Sequence, residues 1–268
     1  MKKGAFDMMK IRDLLVFLGV PLLIVSLLFL MSAGGSVTDT TGHDWYFNPN
    51  NEHLPPQVAS EVPLDGYSVL YGGDPQEKKV TITFDAGFDN GWHATILDTL
   101  KEKNVSAAFF LDGNFLKQNE ALVRRMAAEG HIIGNHTLNH ADMTKLTDLA
   151  TYQKQIDGWN EILEGYGLTP SGYFRFPCGR FSERTLDYNE RLGLTSVFWT
   201  FAYYDWVEKD QPDPEKALEK IMSRMHNGCV LLLHSTSETN AKILGTLIDR
   251  LRAEGYEIVP LETMKKAK

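Results

Sequence analysis

From Lys78 onward, short runs rich in β-branched and aromatic residues alternate with windows whose apolar positions recur every three or four residues, the periods of strand and helix respectively. The apolar runs predict strands at Val80–Phe84, Ala107–Leu111, His131–Gly134, Tyr173–Arg175, Thr195–Trp199, Cys229–Leu233 and Glu257–Val259. The helical windows predict helices at Trp92–Lys103, Glu120–Glu129, Asp148–Tyr166, Glu183–Leu192, Pro214–Met225 and Ala241–Glu254. Ser182 and Asp213-Pro214 are helix-start signals, an oxygen acceptor for the free N–H groups and a proline pre-set for the first turn. Gly130, Gly167, Gly193, Gly228 and Gly255 stand where a left-handed residue ends a helix. Seven strands alternating with helices predict an α/β protein with a parallel sheet. In this number they predict a distorted (β/α) barrel of about seven parallel strands, an open doubly wound sheet being the alternative.

The first 77 residues follow other patterns. Lys2, Lys3, Lys10 and Arg12 mark residues 1–13 as a basic flank to the uncharged run Leu14–Met31. At a 1.5 Å rise, the run's 18 residues make a helix of about 27 Å, close to a bilayer core. An N-terminal transmembrane helix is therefore expected, with the flank in the cytoplasm and the body outside it, in a single-pass cell-membrane protein. A cleaved signal and a secreted protein form the alternative, disfavoured because a signal's apolar region is shorter and Met31 weakens the small-x-small site that Ala33 would end. Residues 32–77, with Pro49, Pro55, Pro56 and Pro63, read as a tether and lead-in to a domain at 78–264.

Composition narrows the class. Of 268 residues, 43% are hydrophobic and 23% charged, an ordinary globular balance, and the net charge of −8 argues against nucleic acid as a partner. The two cysteines, Cys178 and Cys229, form no ligand or disulfide framework and are expected to be small buried fillers.

In parallel α/β sheets the chemistry gathers at the carboxyl ends of the strands. Asp85 follows the first expected strand; His136 and His140 follow the third; Arg175 closes the fourth; Asp205 lies beyond the fifth, and His234 follows the sixth. Five strand ends carrying such polar residues are hard to explain by packing and mark one site. If the segment after Gly134 turns helically, the His-x-x-x-His spacing puts both imidazoles on one face, about 5–6 Å apart, able to hold one ion. A pair of surface or capping histidines is the plain alternative.

The stretches Thr83-Phe84-Asp85-Ala86-Gly87, His136-Thr137-Leu138-Asn139-His140, Arg175-Phe176-Pro177-Cys178-Gly179, Tyr204-Asp205-Trp206 and Leu232-Leu233-His234 occur in this order. Over residues 78–264 the chain thereby resembles the polysaccharide deacetylases of the carbohydrate esterase group. With Asn50-Asn51-Glu52-His53, Gly179–Leu186 and Phe198–Trp206 included, it is most similar to the muramic acid de-N-acetylases that lead to the δ-lactam of spore cortex peptidoglycan.

The resemblance implies hydrolysis of an N-acetyl group on peptidoglycan glycan strands, with muramic acid favoured. It implies Asp85 as the base, held ionised by Arg175, and His234 as the general acid, oriented and charged by Asp205. His136 and His140 would hold a divalent metal ion, zinc being expected. Trp206 and Leu232 would wall the acetyl pocket, with Pro177 and Gly179 also at substrate-binding positions. One departure stands out: metal-dependent relatives carry a second aspartate after the base, and this chain has Ala86, which ligates nothing. Asp89 or a water is the nearby substitute. An N-acetylglucosamine deacetylase or an acetyl-ester esterase is the alternative enzyme. A glycan-binding pseudoenzyme marked by Ala86 is the alternative from another class.

Overall fold

Each of the seven expected strands is present, and all of them join one sheet. The computed structural model describes residues 39–58 and 60–264; the basic flank and the expected span Leu14–Met31 lie outside the described residues. Among the described residues no helix is long and apolar enough to cross a membrane.

The lead-in contributes short strands β1 (His43–Asp44), β2 (Phe47–Asn48), β3 (Gln57–Val58) and β4 (Val69–Leu70). The repeat then runs β5 (Lys79–Ala86), α1 (Trp92–Glu102), β6 (Ala108–Leu111), α2 (Gly113–Gln118), α3 (Glu120–Ala128), β7 (Ile132–Asn135), α4 (Leu149–Gly165) and β8 (Tyr173–Phe174). It continues with β9 (Arg180–Phe181), α5 (Glu183–Arg191), β10 (Thr195–Val197), α6 (Pro214–Met222), β11 (Cys229–His234), α7 (Glu238–Ala253) and β12 (Glu257–Ile258). Seven parallel strands lie in the order β11-β5-β6-β7-β8-β10-β4, and β12 adds a further parallel pairing to β5. The sheet curls until its sides meet: Thr200 donates its N–H to the carbonyl of Val230 (3.0 Å), and Leu232 donates to Phe201 (2.9 Å).

The curl has two cores. On the helix side, Val80, Ile82 and Phe84 of β5 pack with Leu231 and Leu233 of β11 and with Ile96, Leu97 and Leu100 of α1. Inside the curl, Phe110, Phe174, Phe198, Val230 and Leu232 pack together. Because successive strand residues face opposite ways, the side of β5 away from Val80, Ile82 and Phe84 carries Thr81, Thr83 and Asp85, all buried. The same alternation sets His234 in line with Val230 and Leu232, and the register pairs it with Asp85.

Several expectations are corrected. Within the lead-in, β4 is an unforeseen strand of the main sheet, and buried Trp45 stacks on Phe198 with ring centroids 4.1 Å apart. Periodicity could not show β4, a two-residue strand between Gly66 and Gly72. α2 was not foreseen, and α7 begins three residues earlier than expected, where the Ser237 hydroxyl accepts from the Asn240 N–H. Gly130, Gly167, Gly193 and Gly255 follow helix ends with left-handed φ, whereas Gly228 leads a turn into β11, well beyond the end of α6. Cys229 is a buried filler as expected, but Cys178 is exposed.

Candidate active site

A cleft of about 600 Å³ opens at the carboxyl ends of the strands, lined by Asp85, Ala86, Gly87, His136, His140, Cys178, Trp199, Ala202, Tyr203, Tyr204, Trp206, Leu232 and His234. Its floor is Leu232, 4% exposed, and its rim includes Trp206, 51% exposed.

The Asp85 carboxylate is set by Arg175, whose Nη1 donates to Oδ1 at 2.7 Å. Arg175 is fully buried, its Nε donates to the Val197 carbonyl (3.1 Å), and its guanidinium lies 4.0 Å over the Phe110 ring. That ring crosses the sheet over Gly134, its register partner on β7, where any side chain would collide with it. Arg175 Nη2 is buried without a hydrogen-bond partner. Burial pushes the Asp85 carboxyl up, but the charge of Arg175, aided by the neighbouring His234 and the Arg175 hydrogen bond, outweighs it and holds the group below the ordinary carboxylate value.

His234 stands on the adjoining strand. Its Nδ1–H donates to Asp205 Oδ1 (2.7 Å) and its backbone N–H to Asp205 Oδ2 (2.9 Å). Asp205 is fully buried and also accepts from Asn240 Nδ2 at 2.6 Å; Asn240 in turn accepts from the Tyr203 hydroxyl. Burial disfavours the imidazolium, yet the Asp205 hydrogen bond and the charges of Asp205 and Asp85 prevail and raise the His234 pKa. Nε2 therefore remains to serve as a proton donor. Asn240 escaped the sequence reading because it resembles any polar residue in the first turn of a helix.

The His136–His140 segment is a loop, so the helical turn on which the shared-face spacing depends is absent. Thr137, a β-branched residue, is left-handed (φ 71°), as is His140 (φ 57°). Local bonds sustain the strain: Thr137 N–H donates to Asn135 Oδ1 (2.8 Å), and the Thr137 carbonyl accepts from Gly113 (3.0 Å). The rings still meet, edge to face, with centroids 5.0 Å apart. His136 is buried and His140 exposed. His136 Nδ1–H donates to the Arg175 carbonyl (2.8 Å), which fixes the tautomer and leaves the Nε2 lone pair 3.7 Å from Asp85 Oδ2. Burial lowers the His136 pKa to about 4, Asp85 opposing and His140 assisting, so the ring is neutral and fit to ligate.

Two imidazoles with a carboxylate beside them suit a divalent ion. Among the described residues, no three His, Cys, Asp or Glu side chains already form a metal site. Asp89 is not among the residues lining the cleft, and its Oδ1 accepts from His93 Nδ1 (2.7 Å) and the Gly91 N–H (3.0 Å). Pro177 and Gly179 are buried and absent from the cleft wall; a Cβ on Gly179 would meet Trp199 at 2.6 Å. Cys178, between them, lines the cleft instead, with a left-handed backbone (φ 56°).

The chain matches the polysaccharide deacetylase family over residues 72–197. It is 33% identical to the peptidoglycan-N-acetylmuramic acid deacetylase PdaA of Bacillus subtilis, covering 88% of this chain and 91% of that one. The solved structure of PdaA, a family 4 carbohydrate esterase, superposes with a TM-score of 0.80 at 34% identity, covering 85% of this chain and 98% of that one. The peptidoglycan-N-acetylglucosamine deacetylase PgdA of Listeria monocytogenes is 29% identical over 80% of this chain and 43% of its own longer length. With the strand-end site and the curled parallel sheet, these similarities place the chain in the polysaccharide deacetylase family, carbohydrate esterase family 4, whose deacetylases are hydrolases of N-acetyl amide bonds.

Proposed function

We propose that this protein removes the N-acetyl group from muramic acid residues of peptidoglycan glycan strands, a step towards the muramic δ-lactam of spore cortex. The observation that carries the reading is the similarity to PdaA along nearly that protein's whole length. N-acetylglucosamine is the second reading, supported by the likeness to PgdA.

Hydrolysing an acetamide takes a deprotonated water and a protonated leaving nitrogen, since an amide anion does not depart. Asp85, kept ionised by Arg175, takes the water's proton as the oxygen attacks the acetyl carbon. His234, kept protonated by Asp205, gives its Nε2 proton to the nitrogen as the C–N bond breaks, leaving acetate and a free amine. The two groups sit on neighbouring strands at paired positions, so they can flank one acetyl centre. Leu232 and Trp206 wall the acetyl methyl group. His136 and His140 would hold the divalent ion, which when bound supplies positive charge to the acetyl oxygen and the water.

The protein is further proposed to be anchored by Leu14–Met31 with its catalytic body outside the cytoplasm. Salt weakens charge attraction but not hydrophobic insertion, so the full chain should stay with membranes through a salt wash. A shortened protein found in the medium would show the run to be a cleaved signal. The substrate is tested by digesting wall glycan from a deletion strain and measuring muramic δ-lactam by mass spectrometry. Loss of the lactam supports muramic acid, and unchanged lactam with extra acetylated glucosamine would favour the second reading.

A further inference from the structure

Behind the cleft wall lies a chain of three polar side chains that the reaction does not use, two of them buried and the third, Asp89, at the surface. Ser235, which follows His234 at the end of β11, is fully buried, and its hydroxyl donates to His93 Nε2 (2.8 Å). His93, in the first turn of α1 and also fully buried, donates from Nδ1 to Asp89 Oδ1 (2.7 Å). Asp89 lies four residues beyond Asp85, and the Ser235 N–H closes the circuit on the Asp85 carbonyl (3.4 Å). Burial lowers the His93 pKa against the pull of Asp89, so the ring is neutral and can accept on Nε2.

The order Asp-His-Ser is that of a hydrolytic triad, but a nucleophile must reach its substrate. Ser235 has no exposed surface and neither it nor His93 is among the residues lining the cleft. What the trio does touch is the backbone on either side of the two reacting groups. It ties the loop after Asp85 to the residue after His234, and a second tie runs beside it, from Asn90 Nδ2 to the Thr236 carbonyl (2.8 Å). Asp205 and Asn240 fix the rotation of the His234 ring from the other side.

We infer that Asp89, His93 and Ser235 are positioning residues that hold the His234 acid in register with the Asp85 base. The inference rests on the acid and base roles proposed above. An acid acts only if its proton meets the leaving nitrogen as the bond breaks, and misplacement by about 1 Å costs up to ~100-fold. A displaced acid should matter for a poor leaving group and not for a good one. Ser235→Ala removes the hydroxyl without adding bulk, and His93→Gln retains one polar reach should the alanine variant fold poorly.

The test compares the metal-loaded wild type and each variant on an N-acetylated glycan oligomer and on 4-nitrophenyl acetate, whose phenolate leaves without a proton. The inference predicts a fall in kcat of about 10- to 100-fold on the acetamide with KM within about twofold, and a change below about threefold on the aryl ester. In a His234→Ala background, Ser235→Ala should cost nothing more, because it acts through the missing ring. Equal losses on both substrates, or a full additional loss in the His234→Ala background, would overturn the inference and leave a structural polar cluster. The His234 imidazole proton signals, read by NMR without turnover, should shift in Ser235→Ala. An inactive wild type would defeat the deacetylase reading while this arm still decides the positioning, unchanged signals counting against it.

Discussion

The two sides of the cleft are built differently. On the His234 side the orienting groups are bonded within the protein: Asp205, buried in the loop after β10, accepts from two nitrogens of His234 at the end of β11 and from Asn240 in the first turn of α7. On the His136–His140 side only His136 is so held, His140 stands exposed at the mouth, and Ala86 stands where the resemblance implies a carboxylate. The proton donor proposed at His234 needs one orientation and one charge state before substrate arrives, and the Asp205 bonds favour both. The ion-holding pair proposed at His136 and His140 needs lone pairs kept free of protein donors, so its order would be completed from outside. The acid side should therefore respond to substitution as a rigid device, and the histidine side as an open one.

The sharpest break in that contrast is His234→Ala. Turnover on an acetamide should fall by about 10²- to 10⁴-fold with the melting curve little changed. Asp205→Asn should lie between wild type and alanine, and its pH profile carries the sign. The carboxylates of Asp205 and Asp85 face the imidazole and favour its charged form, while Arg175 and burial oppose it. In the wild type the alkaline limb of kcat/KM should thus lie above the ordinary histidine value, and losing the Asp205 charge should move it to lower pH. An alkaline limb unmoved in Asp205→Asn would separate that carboxylate from the titrating group.

Between the two sides sits the Asp85–Arg175 pair, where the expected effect is on stability. Asp85→Ala leaves a guanidinium buried without its anion, which should cost about 3–5 kcal/mol in urea unfolding. Asp85→Asn keeps an acceptor for Nη1 and should cost less. The half-exposed pair of Arg124 and Glu120 makes a control, since Glu120→Ala should cost under about 1 kcal/mol. Equal costs at the two places would mean that water reaches Arg175 and that the base is not held ionised in the way described.

How far the sequence revealed this arrangement differs from part to part for physical reasons. β5 and β11 were legible because long alternating or apolar runs leave few options for burial. β4 was not, since Val69 and Leu70 carry no period and owe their strand to neighbours far along the chain. The polar strand-end residues could be listed in order, and the structure gathers Asp85, Arg175, His136, His140, Asp205 and His234 around one cleft. The local geometry was misjudged at Thr137, where spacing suggested a helix. The left-handed Thr137 is sustained by bonds to Asn135, Gly113 and Ala141, which spacing does not show. Asn240, His93 and Ser235 were illegible for a related reason: a polar residue on a helix or strand end looks the same whether its partner is water or a buried side chain.

The smallest expected effect, and the one that bears most directly on the open side, is Ala86→Asp. Residue 86 is 5% exposed and lines the cleft beside Asp85, so an added carboxylate enters a confined space already holding one negative charge. Without metal, the new group is buried with a like charge nearby, and the variant should melt a few degrees below the parent. With a dication held by His136 and His140, the same carboxylate becomes a third ligand, and the apparent affinity for zinc, measured by competition with a chelator, should tighten about tenfold. The two signs belong together: destabilised without metal, more strongly stabilised by it than the parent. If zinc binds the variant no better and the melting temperature does not recover, residue 86 faces away from the ion. The parent's site would then owe its third ligand to Asp85 or water, not to a carboxylate lost at this position.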